Sequence, residues 1–232
     1  MNRSRRLCLP IFAWAVGILL MTCNGPRTLQ ESESVSPTLR DPGVIALVPF
    51  FVSRPDTPGQ QLVRCPRCEG YMTVGEIAPE APQVITSLFR RALSRDGYTL
   101  IAPEMVDKLL PALVNLEENP EVLAKTLASP VKANTVLMGW IFRYKERIGS
   151  DWGAREPASV AFAVFLFDGQ NGRMLWRTKF DETQRPLSEN VLGLPAFLRR
   201  GGRWVDASGL ASDGVNVVLM KFPGRDQIRV NR

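Results

Sequence analysis

The chain has 232 residues, 45% of them hydrophobic, with a formal net charge of +6 and no histidine. Length and apolar content admit one large domain with a buried core. The missing histidine excludes Ser-His-Asp and Cys-His catalysis and removes the commonest zinc and haem ligand, so the sequence points away from an enzyme and from a bound cofactor or metal.

Three arginines (Arg3, Arg5 and Arg6) precede an apolar stretch from Leu7 to Thr22. A basic segment followed by a short apolar one is an export signal. The stretch is interrupted by Pro10 and is short for a membrane span of ~20 residues. Leu20-Met21-Thr22-Cys23 stands where bacterial lipoprotein signals are cut and acylated, and the N-terminus resembles that class. The resemblance implies a signal peptide over 1–22 and acyl chains such as palmitate on Cys23. Asn24 in place of Asp then implies sorting to the periplasmic face of the outer membrane. An ordinary secretory cleavage or an uncut anchor would be the other readings. The three arginines leave with the signal, so the mature chain carries roughly half the formal charge, scattered rather than striped, which argues against a nucleic-acid partner.

Residues 23–42 are polar and rich in Ser, Pro and Glu, and read as a flexible tether. A single domain is expected over 43–222. Val44 to Val52 is a continuous apolar run that suits a fully buried strand. Residues 53–80 are dense in Pro and Gly and read as a long loop. Apolar spacing predicts a helix from Pro82 to Asp96, stopped by Asp96-Gly97. A short strand follows at Tyr98–Ile101. Pro103 opens a second helix through Leu110, and Asn119 caps a third that ends before Pro130.

Three strands are predicted next, at Val136–Ile148, Ser159–Phe167 and Met174–Phe180. The last two are joined by Asp168-Gly-Gln-Asn-Gly172, a strong hairpin signal. A short helix is expected over Leu187–Leu198, and a last helix capped by Asp206 or Ser208 runs to about Lys221. The tail, 223–232, is polar. The order β-α-β-α-α-β-β-β-α implies an α/β (α+β) fold with a mixed β-sheet and helices packed on it.

This arrangement resembles a set of envelope lipoproteins: the curli-secretion lipoproteins, the activators of penicillin-binding proteins, and the amino-terminal domain of the Tol-system β-propeller protein. The resemblance rests on the strand Val44 to Phe50, the helix through Leu88 and Leu93, Asp96-Gly97-Tyr98, Ala133 to Gly139, and the hairpin carrying Asp168, Gly172, Leu175 and Trp176. It implies a non-catalytic domain that binds another envelope protein in envelope assembly or secretion. The alternating lipid-facing strands of a secretion barrel are not evident, which speaks against a curli-type channel component.

The sharpest chemical motif is Cys65-Pro66-Arg67-Cys68. A single C-x-x-C lacks the four ligands of a zinc site unless a second copy supplies them. A structural disulfide suits an oxidising compartment. The other reading is a thiol-redox pair, in which Arg67 would favour a thiolate. Trp140, Tyr144 and Trp152 flank a charged stretch and, with Arg199, Arg200, Arg203 and Trp204, form the expected partner-binding residues, since Trp, Tyr and Arg concentrate binding energy. A homo-oligomer is a further expectation. Phe162, Phe165, Phe167, Trp176 and Phe180 read as core. Asp181, Glu182, Glu189 and Asp206 could furnish an acid–base pair only if burial and geometry brought two of them together.

Overall fold

A computed structural model of the chain describes residues 32–34, 41–55, 57–68, 70–113, 116–150, 153–184 and 203–224. The signal peptide, Cys23, most of the tether, Trp152, the helix expected over Leu187–Leu198, Arg199, Arg200 and the end of the tail lie outside the described residues.

The sheet is organised by two long strands, β6 (Thr135–Lys145) and β9 (Ser159–Asp168). Every residue of β9 up to Phe167 is buried. Val160, Phe162, Val164 and Leu166 fall in one apolar cluster, while Ala161, Ala163, Phe165 and Phe167 fall in another. Successive side chains of a strand point to opposite faces, so an unbroken apolar run means a sheet covered on both sides. Around this pair stand β1 (Ser32–Ser34), β2 (Ile45–Leu47), β3 (Phe51–Val52) and β10 (Met174–Thr183). The six-stranded order is β1-β10-β9-β6-β2, with β3 also on β6. The β1–β10, β10–β9 and β9–β6 pairs are antiparallel, whereas β2 and β3 lie parallel to β6.

Helices α1 (Ala81–Arg95) and α4 (Ala207–Leu219) cover one face. Helices α2 (Pro103–Leu113) and α3 (Pro120–Val131) cover the other, together with a small hairpin of β4 (Leu62–Arg64) and β5 (Tyr71–Thr73). A second small hairpin, β7 (Ile148–Ser150) with β8 (Gly153–Glu156), joins β6 to β9. On the α1 face, Phe89 stacks on Phe50 at 5.0 Å and meets the edge of Phe162 at 5.8 Å. Phe162, Trp176 and Phe180 sit on this face, and Phe165 and Phe167 on the other, all buried as expected of core residues.

The fold is the α/β class with a mixed sheet that the sequence implies, with four refinements. The loop expected over 53–80 contains the β4–β5 hairpin, whose strands alternate exposed-buried-exposed over only three residues each. The strand expected at Tyr98–Ile101 is a single bridge from Leu100 to Ile45. Helix α3 runs through Pro130 to Val131 and closes on Lys132 at φ 56°, rather than ending before the proline. Within the expected tether, Ser32–Ser34 pairs with the outer edge of β10.

Candidate functional site

The β4–β5 hairpin turns through the C-x-x-C motif. Cys65 and Cys68 are carried as a disulfide with Cα atoms 5.3 Å apart. Cys65 donates its N–H to the Gly70 carbonyl at 3.2 Å, and the Cys68 N–H points at Cys65 Sγ at 3.3 Å. Val63, Cys65 and Met72 are buried against the α2–α3 face, while Leu62 and Tyr71 stand exposed on the outer side of the hairpin. The loop is latched to the first turn of α3. The Arg67 guanidinium donates to both carboxylate oxygens of Glu121, at 2.5 and 2.7 Å. That hydrogen bond holds the Glu121 carboxyl below its usual range, and raises Arg67, against the opposing effect of burial. Arg67 is therefore committed to a carboxylate and not to a sulfur, and the cysteines lie in a hairpin loop rather than at a helix N-terminus.

Two of the expected partner-binding residues are corrected. Trp140 is 3% exposed and Tyr144 is 1% exposed, so neither is presented to a partner. Trp140 packs between Phe51, at 5.2 Å, and Phe165, at 5.6 Å. Its indole N–H donates to Glu117, whose carboxyl is nevertheless pushed up by burial. Tyr144 enters the opposite cluster, because the register of β6 against β9 shifts between Ile141 and Arg143. One extra residue, Phe142, reverses the alternation, so two residues of equal parity end on opposite faces. Burial, with the nearby charges of Glu146, Asp206 and Glu80, pushes the Tyr144 phenol up to about 12.

Of the remaining expected residues, Arg203 and Trp204 fall at one end of the sheet, and Trp152, Arg199 and Arg200 lie outside the described residues. Arg147 donates to the carbonyl of Trp204, and the Ala207 N–H donates to Glu146 at 3.1 Å. These bonds tie the end of β6 to the segment 203–207, so two stretches more than fifty residues apart in sequence share one surface. Arg203 is exposed there and Trp204 is half-buried. Beside them projects the exposed β7–β8 hairpin with Ile148, its base held by Lys145 and Glu156 at 2.5 Å.

Of the four carboxylates, Asp181 and Asp206 are engaged in separate bonds, and Glu189 lies outside the described residues. Asp206 caps α4, accepting the Gly209 N–H at 2.7 Å. Asp181 is paired with Arg143 at 2.5 Å. Arg143 also donates to Ser159 at 2.5 Å and to the Thr73 carbonyl at 2.9 Å, and Ser159 and Thr183 hydroxyls meet at 2.5 Å. This part-buried polar cluster joins β5, β6, β9 and β10. Its sequence signal is one arginine inside the apolar run Val136 to Tyr144. Among the described residues no group of three His, Cys, Asp or Glu could hold a metal, and no helix is long and apolar enough to cross a membrane.

No protein-family model matches the chain, and no curated protein matches it. Solved structures do. A PelC dodecamer from Paraburkholderia phytofirmans is 17% identical, covering 82% of this chain and 94% of that one, at a TM-score of 0.46. A lipoprotein from Neisseria meningitidis is 16% identical, covering 69% and 99%, at 0.40. The LpoB C-terminal domain from Salmonella enterica is 17% identical, covering 64% and 88%, at 0.37. These are distant likenesses. LpoB stands for the penicillin-binding-protein activators among the three resemblances read from the sequence; the curli-secretion and Tol-system resemblances gain no support here.

Proposed function

We propose that the protein is a non-catalytic envelope lipoprotein, anchored through acylated Cys23 to the periplasmic face of the outer membrane, whose domain recruits another envelope protein. The observation that carries the reading is the N-terminus: a basic segment, an apolar stretch too short to span, and Cys23 at its end. Several acyl chains, each contributing ~0.8 kcal/mol per buried CH₂, make such an anchor stable. Anchoring raises effective concentration, so even a weak interface is populated. The absence of histidine from the sequence and the engagement of Asp181 and Asp206 in structural bonds support a binding role over a catalytic one.

The partner surface in this reading is the end of the sheet where Arg203, Trp204 and the β7–β8 hairpin meet, together with Trp152, Arg199 and Arg200. Cys65 and Cys68 serve as a structural disulfide that pins the β4–β5 hairpin. The test is crosslinking of the native protein in intact envelopes, compared with Arg203→Glu, which reverses the charge of an exposed side chain. One reproducible crosslinked protein, lost in the variant at unchanged protein level, is the expected result. No reproducible partner, or capture unaffected by the charge reversal, contradicts the assignment of the surface.

A further inference from the structure

Strand β1 belongs to the tether by sequence but to the sheet by position. Ser32, Glu33 and Ser34 face Thr178, Arg177 and Trp176 on the outer edge of β10. Its pairing spans three residues, whereas β9 pairs with β10 from Met174 to Thr183. A backbone hydrogen bond yields ~1 kcal/mol net, and ordering a residue costs ~1–2 kcal/mol, so a three-residue strand on the sheet edge lies near balance between docked and free.

We propose that Ser32–Ser34 is a releasable strap that sets how far the domain stands from the lipid on Cys23. The inference rests on the anchoring read from the N-terminus. Nine residue steps separate Cys23 from Ser32, and eighteen separate it from Asp41, where the domain resumes. At ~3.3 Å per residue, the docked strap holds the sheet edge within about 30 Å of the acylated end, and its release lets the domain travel out to about 60 Å. The same chain thus has a short and a long reach without any change in its folded core.

The test uses the full acylated protein on a supported bilayer of phosphatidylethanolamine and phosphatidylglycerol, with the height of the domain read by neutron reflectometry. Glu33→Cys with Arg177→Cys locks the strap, since directly opposed antiparallel residues lie within disulfide reach. Replacing Ser32, Glu33 and Ser34 by proline removes every N–H and releases it. The released variant is expected to extend up to about twofold farther from the bilayer than the locked one. Equal heights on acylated protein overturn the strap. In wild-type protein, amides of 32–34 are expected to exchange at least tenfold faster than those of β9; equal rates overturn release, whatever the variants do. A chain whose mass shows no acyl group at Cys23 overturns the reach inference through the anchor, while the exchange rates still report on the strap.

Discussion

Arg143 gathers polar partners from three other strands. Its guanidinium serves Ser159, Asp181 and the Thr73 carbonyl from a side chain that is 11% exposed. Removing one partner of such a pair strands the other without a charge to meet it. Arg143→Ala is expected to lower unfolding stability by about 3 kcal/mol in urea titration, and Arg143→Leu with Asp181→Leu by clearly less. Equal losses would mean that the arginine acts through packing alone. The disulfide closes a very small loop, for which chain entropy supplies about 2 kcal/mol. Cys65→Ser with Cys68→Ser should therefore fold, melt earlier and keep its partner; a variant that folds as stably as wild type would contradict a structural role. The Arg67–Glu121 latch has a pH signature. Because the folded pKa of Glu121 is lowered, its contribution is full above the ordinary glutamate range and is lost as pH falls through the lowered value. Glu117, raised by burial, acts with the opposite sign and in a window above the ordinary glutamate value rather than below it. Arg67→Met should flatten the acid limb of the urea midpoint against pH, and an unchanged limb would mean that Glu121 gains nothing from the latch.

At the scale of elements, long strands were legible and short ones were not. Ser159–Phe167 and the hairpin at Asp168–Gly172 carry strong local signals, and the structure has them: Gly172 takes φ 75° and Asp168 Oδ1 accepts the Gln170 N–H at 2.7 Å. Strands β4 and β5 hide in a Pro- and Gly-rich stretch, because three alternating residues look like loop. The partner patch failed at Trp140 and Tyr144 for a different reason. A residue's face depends on register, and one bulge at Phe142 is invisible to a pattern that counts by two. What sequence distance concealed is the contact between Arg147 and Trp204, which only the packing of α4 brings about. Two elements have direct checks. A Cβ on Gly139 would stand 2.7 Å from the Ala163 carbonyl oxygen and closer still to the Phe50 ring, so Gly139→Ala should cost at least ~1–3 kcal/mol through overpacking of β6. Asp206→Ala should cost ~1 kcal/mol by uncapping α4. Thermal or urea unfolding reads both, and a neutral Gly139→Ala would show that the Phe50 ring yields freely.

For the whole molecule, the sheet and its two helical layers form a scaffold in which Arg143, Asp181, Arg67 and Glu121 tie elements together. The chemistry left at the surface is that of contact: an exposed hairpin, Arg203, a half-exposed Trp204, and Leu62 with Tyr71 on the outer side of the cysteine hairpin. In the proposed reading the domain works by being placed, so its function depends on the residues that place it. The most direct measurement is the intact mass of the native protein together with fractionation of the membranes that contain it. The account predicts a chain beginning at Cys23, heavier by its acyl chains, in the outer-membrane fraction. A soluble chain without acyl groups would contradict the anchor and, with it, recruitment by tethering.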